Sequence, residues 1–278
     1  MKSDVEYLVR KTITSISPYI SARDTFCGDC YEYFDANEIP YGRYNRYPDS
    51  NQTLLKQQVA NLRNVDVENV FLGNGSNEII DLCFRIFCEP YEEKAIIFSP
   101  TYGIYDMLAK LNGVELIKLS LTDQFQIDPQ TVAPFFQDKS VKLIFICSPN
   151  NPTGNTINSE DIDFIIDNFD GIVVIDEAYI DFCIKNSNIR KIKSHTNVII
   201  CQTLSKAWGL AGLRVGMAFM NNKTITYFNK AKLPYNIGSV NQEKALANLK
   251  NMELYRNHLK VVIAEREKMM KELRKISI

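Results

Sequence analysis

The chain has 278 residues, of which 45% are hydrophobic and 23% charged, and its formal net charge is −1. This balance is typical of a globular protein with one large domain, or with one domain and a smaller lobe. A nearly neutral chain has no general attraction to nucleic acid or to an anionic membrane, and no apolar run is long enough to span a bilayer. The first twenty residues lack the apolar core of a signal peptide, so the sequence predicts a cytoplasmic protein.

The cysteines and histidines limit the metal and redox chemistry available to the chain. Cys147 and Cys201 lie in apolar segments and are predicted to be reduced core residues. Cys27 and Cys30 have C-x-x-C spacing, but no second pair of ligands accompanies them, as a zinc site would require. We interpret them as incidental loop residues, with a redox pair as the alternative, and predict no metal site.

From about residue 69 onward, short β-branched runs alternate with helical patterns, which predicts an α/β fold with a mostly parallel sheet covered on both faces. Ligands bind such sheets beyond the carboxyl ends of the strands. The charge-rich segment 241–276 predicts one or two long helices. The other predicted helices are 103–111 and 159–168, and the predicted strands are 94–99, 114–119, 141–147, 171–176, 198–203 and 215–220.

Two of the polar segments near predicted strand ends suit a flat phosphorylated ligand. The first runs from Gly73 to Glu78, where glycines and the N–H groups of a helix start can hold a phosphate. An ordinary helix capped by Ser76 or Asn77 is the alternative. In the second, Tyr102 can lie flat on an aromatic cofactor or pack on the core as a turn residue.

Two further segments supply an amide and a buried carboxylate. The prolines and glycine of SPNNPTG, residues 148–154, fix a tight turn in which Asn151 offers a rigidly held amide. Asp176 ends a wholly apolar strand, where an unpaired carboxylate would be costly. A protonated pyridine nitrogen would be a suitable partner, and capping of the following segment is the alternative.

The functional interpretation depends on Lys206, which follows the strand predicted at 198–203. A lysine amine can bond covalently to an aldehyde cofactor, although most lysines are solvated surface charges. Ser205 and Arg214 can add charge-assisted hydrogen bonds to the phosphate. Together the five segments specify a flat aromatic cofactor with a phosphate, a ring nitrogen, a phenolic oxygen and an aldehyde, which is pyridoxal 5′-phosphate.

The chain resembles the fold-type I pyridoxal-phosphate aminotransferases from about residue 17 to its end. The motifs SPNNPTG at 148–154, DEAY at 176–179 and TLSKAWGLAGLR at 203–214 carry this resemblance. Segments at 18–23, 35–38, 45–48 and 87–90 resemble the histidinol-phosphate aminotransferase branch. The resemblance implies transamination of histidinol phosphate with 2-oxoglutarate, giving imidazole-acetol phosphate and glutamate in histidine biosynthesis.

The resemblance also implies roles for individual residues around the cofactor. Lys206 is expected to bond the aldehyde and to carry protons, and Asp176 to pair with the pyridine nitrogen. Asn151 and Tyr179 are expected to bind the phenolic oxygen, and Tyr102 to stack on the ring.

Other implied roles concern the phosphate, the partner subunit and the substrate. Tyr47 is expected to reach the phosphate of the partner subunit's cofactor, which implies a homodimer. Tyr19 and Asn37 are candidates for lining the substrate side. The residues expected around the phosphate are Ser76, Asn77, Thr203, Ser205 and Arg214.

The resemblance implies a seven-stranded sheet in a large cofactor-binding domain, predicted over 41–240. Residues 1–40 are predicted to form an N-terminal arm and the start of a small lobe, and 241–278 a long helix leading into a small C-terminal lobe. Family members continue for some tens of residues past such a helix, so we expect this lobe to be truncated. A chain that binds cofactor without full activity is therefore one alternative. A threonine-phosphate decarboxylase is another, against which the NEIP and KAWGLAGLR segments favour the aminotransferase.

Overall fold

The computed structural model describes residues 4–26, 28 and 32–276, so the pair Cys27 and Cys30 lies outside the described residues. A seven-stranded sheet forms the centre of the fold. Its strands are β1 Val70–Asn74, β2 Lys94–Ser99, β3 Glu115–Ser120, β4 Val141–Cys147, β5 Ile172–Asp176, β6 Val198–Thr203 and β7 Val215–Met220. They lie in the order β1-β7-β6-β5-β4-β2-β3.

Helices surround the sheet. In the described part of the chain, no helix is long and apolar enough to cross a bilayer. Short 3₁₀ turns occupy Val5–Leu8, Val67–Asn69, Ala133–Phe135, Ile180–Asn186, Ile189–Lys193 and Ala211–Leu213. The α-helices are α1 Lys11–Ser15, α2 Ala22–Thr25, α3 Thr53–Arg63, α4 Ser76–Phe87, α5 Ile104–Leu111, α6 Pro129–Val132, α7 Ser159–Asn168, α8 Asn222–Ala231, α9 Ser239–Leu249 and α10 Met252–Leu273.

The predicted mostly parallel seven-stranded sheet is confirmed. Strands β2, β4, β6 and β7 begin and end where the sequence predicts. Strand β3 begins and ends one residue later than predicted, and β5 begins one residue later. The segment 241–276 forms two helices, because Asn251 interrupts it and its side chain accepts a hydrogen bond from the Leu254 N–H at 3.3 Å, which starts α10. The predicted boundaries 1–40, 41–240 and 241–278 remain a prediction.

Two apolar layers hold the sheet between helices. Successive side chains of a strand point to opposite faces, so Val173 and Ile175 pack in one layer and Ile172 and Val174 in the other. Helices α3, α7 and α9 contribute to the first layer, and α4, α5 and α8 to the second. With both faces covered, the strands are buried along nearly their whole length, which explains their continuous apolar sequences.

The direction of the strands brings the polar segments to one edge. Strands β2, β4, β5 and β6 are parallel, so their carboxyl ends coincide there. Strand β7 is antiparallel to both β6 and β1, so β1 also ends at this edge and β7 begins there. Arg214, the residue before β7, therefore lies beside the start of α4, about 140 residues away in sequence.

A close backbone approach joins β7 to the start of α4. A Cβ atom added to Gly216 would lie 2.4 Å from the Gly75 carbonyl carbon and 2.5 Å from the Ser76 nitrogen. A side chain at 216 would have to displace the backbone that begins α4.

We expect Gly216→Ala to lower the free energy of unfolding by about 1–3 kcal/mol, because the added methyl group overpacks this junction. Urea unfolding monitored by circular dichroism measures the change. Gly212→Ala is the matched control, since a Cβ atom at Gly212 would meet nothing within 4 Å. Equal stability of the two variants would contradict the prediction.

Candidate active site

A cavity of about 150 Å³ lies at the edge of the sheet where the polar segments meet. Its walls come from the ends of β1, β2, β4, β5 and β6 and from the beginning of β7. The lining residues are Ser76, Asn77, Tyr102, Cys147, Asn151, Asp176, Ala178, Tyr179, Thr203, Ser205, Lys206, Ala211 and Arg214.

The start of α4 forms one end of this cavity. Helix α4 begins after Gly75, and no side chain caps its first N–H groups, so neither Ser76 nor Asn77 serves as the helix cap. Unsatisfied N–H groups and the helix dipole make this end favourable for an anion.

Arg214 brings a positive charge to the same end of the cavity. Its backbone is left-handed, with a φ of 51°, and its carbonyl accepts a hydrogen bond from the Gly75 N–H at 2.9 Å. A Cβ atom at Gly75 would lie 2.4 Å from Arg214 Nη2, so glycine is required for the guanidinium to lie there. Among the described residues, Arg214 has no carboxylate partner in a salt bridge.

The loop after β6 carries hydroxyl groups and the lysine. Thr203 Oγ1 donates to Ser205 Oγ at 3.0 Å and accepts a hydrogen bond from the Ser205 backbone N–H at 3.1 Å. These contacts hold the turn that presents Lys206, whose Nζ lies 5.3 Å from the centroid of the Tyr179 ring. Lys206 is exposed to the open side of the cavity.

Two residues beyond the lysine, Trp208 connects this loop to the C-terminal helix. Its ring stacks on Tyr255 of α10, with the centroids 3.7 Å apart and the planes 8° from parallel. Aromatic stacking of this kind adds to the stabilisation from apolar burial. The loop that presents Lys206 is therefore packed directly on α10.

Asp176 lies at the base of the cavity and is 1% exposed. Its Oδ1 accepts a hydrogen bond from the Ala178 N–H at 3.0 Å. One of the two oxygens therefore caps the following segment, which was the alternative considered for this residue. Its Oδ2 accepts the Tyr105 hydroxyl at 2.8 Å. Burial raises the pKa of Asp176, and the two hydrogen bonds and the charge of Lys206 oppose that rise.

The rigidity of the SPNNPTG turn comes from Asn150 rather than from its prolines and glycine alone. The buried Asn150 amide donates to the Pro100 carbonyl at 2.9 Å and to Thr153 Oγ1 at 2.8 Å, and its oxygen accepts the Thr101 hydroxyl at 2.9 Å. This side chain ties the turn to the loop after β2. Asn151, which follows it, is half-buried and lines the cavity.

Three predicted residues lie outside the set that lines the cavity: Tyr47, Tyr19 and Asn37. Tyr47 is 52% exposed and stacks on Tyr235 with centroids 4.6 Å apart, and Tyr19 meets Tyr235 edge to face at 6.4 Å. Asn37 is exposed and has a positive φ of 54°. Tyr47 and Tyr19 thus share a surface around Tyr235, and none of the three residues forms a wall of this chain's own cavity.

Glu38 fixes the position of that surface. Its carboxylate accepts hydrogen bonds from Arg23 Nη2 at 2.9 Å, from Arg46 Nη1 at 2.7 Å and from the Tyr47 backbone N–H at 2.6 Å. The Arg23 guanidinium, together with the other two donors, lowers the pKa of Glu38 to about 2. Glu38 therefore stays ionised at neutral pH and holds the Tyr47 backbone to both arginines.

Cys147, predicted only as a core residue, lines the cavity together with Ala178 and Ala211, and Tyr105 lies behind Asp176; no site role was predicted for any of the four. Cys147 is the last residue of β4 and lies beside Asp176 in the strand register. Because both residues end neighbouring strands, the prediction of Asp176 at the cavity could also have indicated Cys147. Tyr105 is separated from Asp176 by 71 residues, and no local pattern indicates their hydrogen bond.

Comparison with known proteins identifies the family. The chain matches the family Aminotransferase class I and II over residues 37–277, and it belongs to this family. A histidinol-phosphate aminotransferase from Parabacteroides distasonis is 45% identical over 271 residues, which cover 97% of this chain and 78% of that protein. Within the family, the chain belongs with the histidinol-phosphate aminotransferases.

Solved structures agree with this assignment. A histidinol-phosphate aminotransferase from Clostridium acetobutylicum superposes with a TM-score of 0.76 at 30% identity, covering 84% of this chain and 70% of that one. A histidinol-phosphate aminotransferase from Sinorhizobium meliloti in complex with pyridoxal-5′-phosphate gives a TM-score of 0.74 at 21% identity, covering 81% of this chain and 61% of that one, which shows the shared fold. The chain has the fold of a fold-type I aminotransferase.

The residues of the cavity fit pyridoxal phosphate. Asp176 is a buried carboxylate that contacts no cation among the described residues, and a protonated ring nitrogen would supply one. The uncapped start of α4 and Arg214, which has no carboxylate partner in the described part of the chain, suit the phosphate at the opposite end. Lys206 stands at the open side between them.

We expect Asp176→Asn to stabilise the cofactor-free protein at neutral pH, because it removes a buried charge. The pKa of Asp176 in the folded protein is higher than the value of 3.8 in the unfolded chain. Asp176 therefore makes the natural chain less stable as the pH rises through the folded pKa. The advantage of the variant should therefore be smallest in acid and should grow toward pH 7.

Urea unfolding of both proteins at several pH values measures this difference, with the exposed Asp170→Asn as the matched control. A variant that is less stable than the natural chain at pH 7 would contradict the prediction.

Proposed function

We propose that the chain catalyses pyridoxal-phosphate-dependent transamination of histidinol phosphate with 2-oxoglutarate, in histidine biosynthesis. The observation that carries the proposal is the convergence of residues from six separate segments on one cavity with a buried carboxylate, a lysine and an anion site. The 45% identity to a histidinol-phosphate aminotransferase supports the substrate.

Different residues of the chain would bind different parts of the cofactor. Asn151 and Tyr179 would hold its phenolic oxygen, and Tyr102 would cover the ring face. The α4 start, with Ser76 and Asn77, would hold the phosphate by N–H groups and side chains. Thr203, Ser205 and Arg214 would complete the phosphate site with two hydroxyls and a bidentate cation.

When bound, the cofactor supplies an aldehyde that bonds amines covalently and a ring that withdraws electrons from the adjacent carbon. Lys206 Nζ would hold the aldehyde until the substrate amine replaces it, and would then be free as a base. It would remove the proton from the substrate carbon that bears the amine and donate that proton later in the half-reaction. Asp176 would stay ionised and keep the ring nitrogen protonated.

The proposed active form is a cytoplasmic assembly in which one chain contributes to the site of another. Tyr47 is exposed, its backbone is held by Glu38 and it does not line the cavity of its own chain, which suits a contribution to the phosphate site of a partner subunit. The active form would then be a homodimer, with Tyr19 and Asn37 near its substrate entrance. The described cysteines are free, as expected in the reducing cytoplasm.

The decisive test is a spectral titration of the cofactor-loaded chain with histidinol phosphate. Loss of the absorbance of the lysine-bound cofactor, followed by its recovery on addition of 2-oxoglutarate, is expected. Threonine phosphate serves as the comparison, because a decarboxylase would release carbon dioxide from it. An absorbance that histidinol phosphate leaves unchanged would overturn the proposed substrate.

Lys206→Ala should abolish the covalent attachment of cofactor while leaving the fold intact, since the side chain lies at the open side of the cavity. Borohydride reduction followed by mass spectrometry measures attachment, and the exposed Lys139→Ala is the control. Attachment retained in Lys206→Ala would show that another lysine carries the cofactor. Activity should fall by at least about 10³-fold.

Mixed dimers test the contribution of Tyr47. Tyr47→Phe alone should weaken cofactor binding about tenfold, the effect of one lost hydrogen bond to a charged group. A Lys206→Ala chain mixed with a Tyr47→Phe chain should regain about a quarter of the natural sites, because half of the dimers then contain one intact site. Fluorescence titration with cofactor gives the affinities, and Tyr44→Phe is the control. Absence of such recovery would place Tyr47 in its own subunit's site.

A further inference from the structure

We infer that Tyr105 is a positioning residue for the reaction: its hydroxyl fixes Asp176 and keeps it ionised against the ring nitrogen. The inference rests on the proposed function, and it assigns a role to a residue that touches neither substrate nor cofactor in that proposal. Tyr105 donates to Asp176 Oδ2 at 2.8 Å.

The geometry fixes both oxygens of the carboxylate. Oδ2 accepts the phenol, and Oδ1 accepts the Ala178 N–H at 3.0 Å. With two donors on two different oxygens, the carboxylate plane cannot rotate without breaking a hydrogen bond. Each oxygen retains a second lone pair, so one remains available to a ring N–H aimed from the cavity.

The ring of Tyr105 is itself immobilised. Tyr105 is fully buried on α5 and stacks on Phe145 of β4 with centroids 5.2 Å apart and the planes 28° from parallel. Tyr102 meets it edge to face at 5.9 Å. These contacts involve the ring and not the hydroxyl, so a phenylalanine could keep the packing and lose only the donor.

The Tyr105 hydroxyl lowers the pKa of Asp176. Burial raises the pKa of Asp176, and the Tyr105 hydrogen bond is the largest influence that lowers it again. Burial, together with the Asp176 charge, raises the pKa of Tyr105 far above its ordinary value, so the phenol remains a donor at every working pH. Without this donor, the carboxyl would hold its own proton more strongly and would support a protonated ring nitrogen less well.

The test is the titration of Asp176 itself. In the cofactor-free protein with ¹³C-labelled aspartate carboxyls, Asp176→Asn identifies the resonance. Tyr105→Phe should raise its midpoint by about one to two pH units, the shift expected for losing one hydrogen bond to an ionised group. Tyr227→Phe is the matched control, since Tyr227 also packs on the core but lies on α8, away from the cavity. An unchanged midpoint in Tyr105→Phe would overturn the inference.

A second substitution covers the case in which Tyr105→Phe does not fold. Replacement of Tyr105 by 3-fluorotyrosine keeps the ring and makes the phenol a stronger donor, so the Asp176 midpoint should fall. A midpoint that stays constant or rises would also overturn the inference.

The cofactor-loaded protein provides an independent measurement. With ¹⁵N-labelled pyridoxal phosphate, Tyr105→Phe should move the ring-nitrogen resonance toward the unprotonated position and lower kcat about tenfold or more, with KM little changed. A ring-nitrogen resonance identical to that of the natural chain would overturn the inference.

The experiments separate this inference from the proposed function. If the natural chain neither attaches cofactor nor responds to histidinol phosphate, the proposed function fails, whatever the carboxyl titration shows. If the natural chain is active and Tyr105→Phe leaves the Asp176 midpoint unchanged, only the role of Tyr105 fails.

Discussion

The hydrogen bond from the Gly75 N–H to the Arg214 carbonyl is the contact on which the rest of the site depends. It joins the start of α4 to the start of β7. The absence of a side chain at Gly216 allows the two backbones to meet, and its absence at Gly75 leaves room for the Arg214 guanidinium. The reversed direction of β7 makes this contact available, because it presents the beginning of a strand among the ends of the others. A fully parallel sheet would have placed Arg214 at the opposite edge.

Two adjacent carboxylates at the end of β5 show how burial can serve different purposes. Glu177 is fully buried and accepts hydrogen bonds from Asn188, Ser187 and Gln202, so neutral donors from the chain itself surround it. Burial raises the pKa of Glu177, as it does that of Asp176. Asp176 accepts hydrogen bonds from Tyr105 and from the Ala178 N–H and also lines the cavity, so its remaining lone pairs are available to a ligand. Of these two consecutive carboxylates, Glu177 therefore stabilises the fold and Asp176 is available to bind a ligand.

Much of the fold and of the cavity could be predicted from sequence because both depend on local patterns. Strands such as β4 and β6 are continuous apolar runs, and the polar segments around Asp176 and Lys206 follow them directly. The cavity gathers those segments because parallel strands end together. The hydrogen bond between Tyr105 and Asp176 could not be predicted, since it depends on how α5 packs on the sheet. Assembly across chains, as proposed for Tyr47, lies beyond what one sequence specifies.

The stacking of Trp208 on Tyr255 gives the protein an internal optical probe. Trp208 is the only tryptophan in the sequence, and it lies two residues from the lysine at the cavity. Its ring faces α10 rather than solvent, at a centroid distance of 3.7 Å. Indole emission responds to changes in its immediate packing, so any displacement of α10 relative to the lysine loop would change the fluorescence of this one residue. The fluorescence of Trp208 therefore reports changes in the position of α10 relative to the Lys206 loop without an added label.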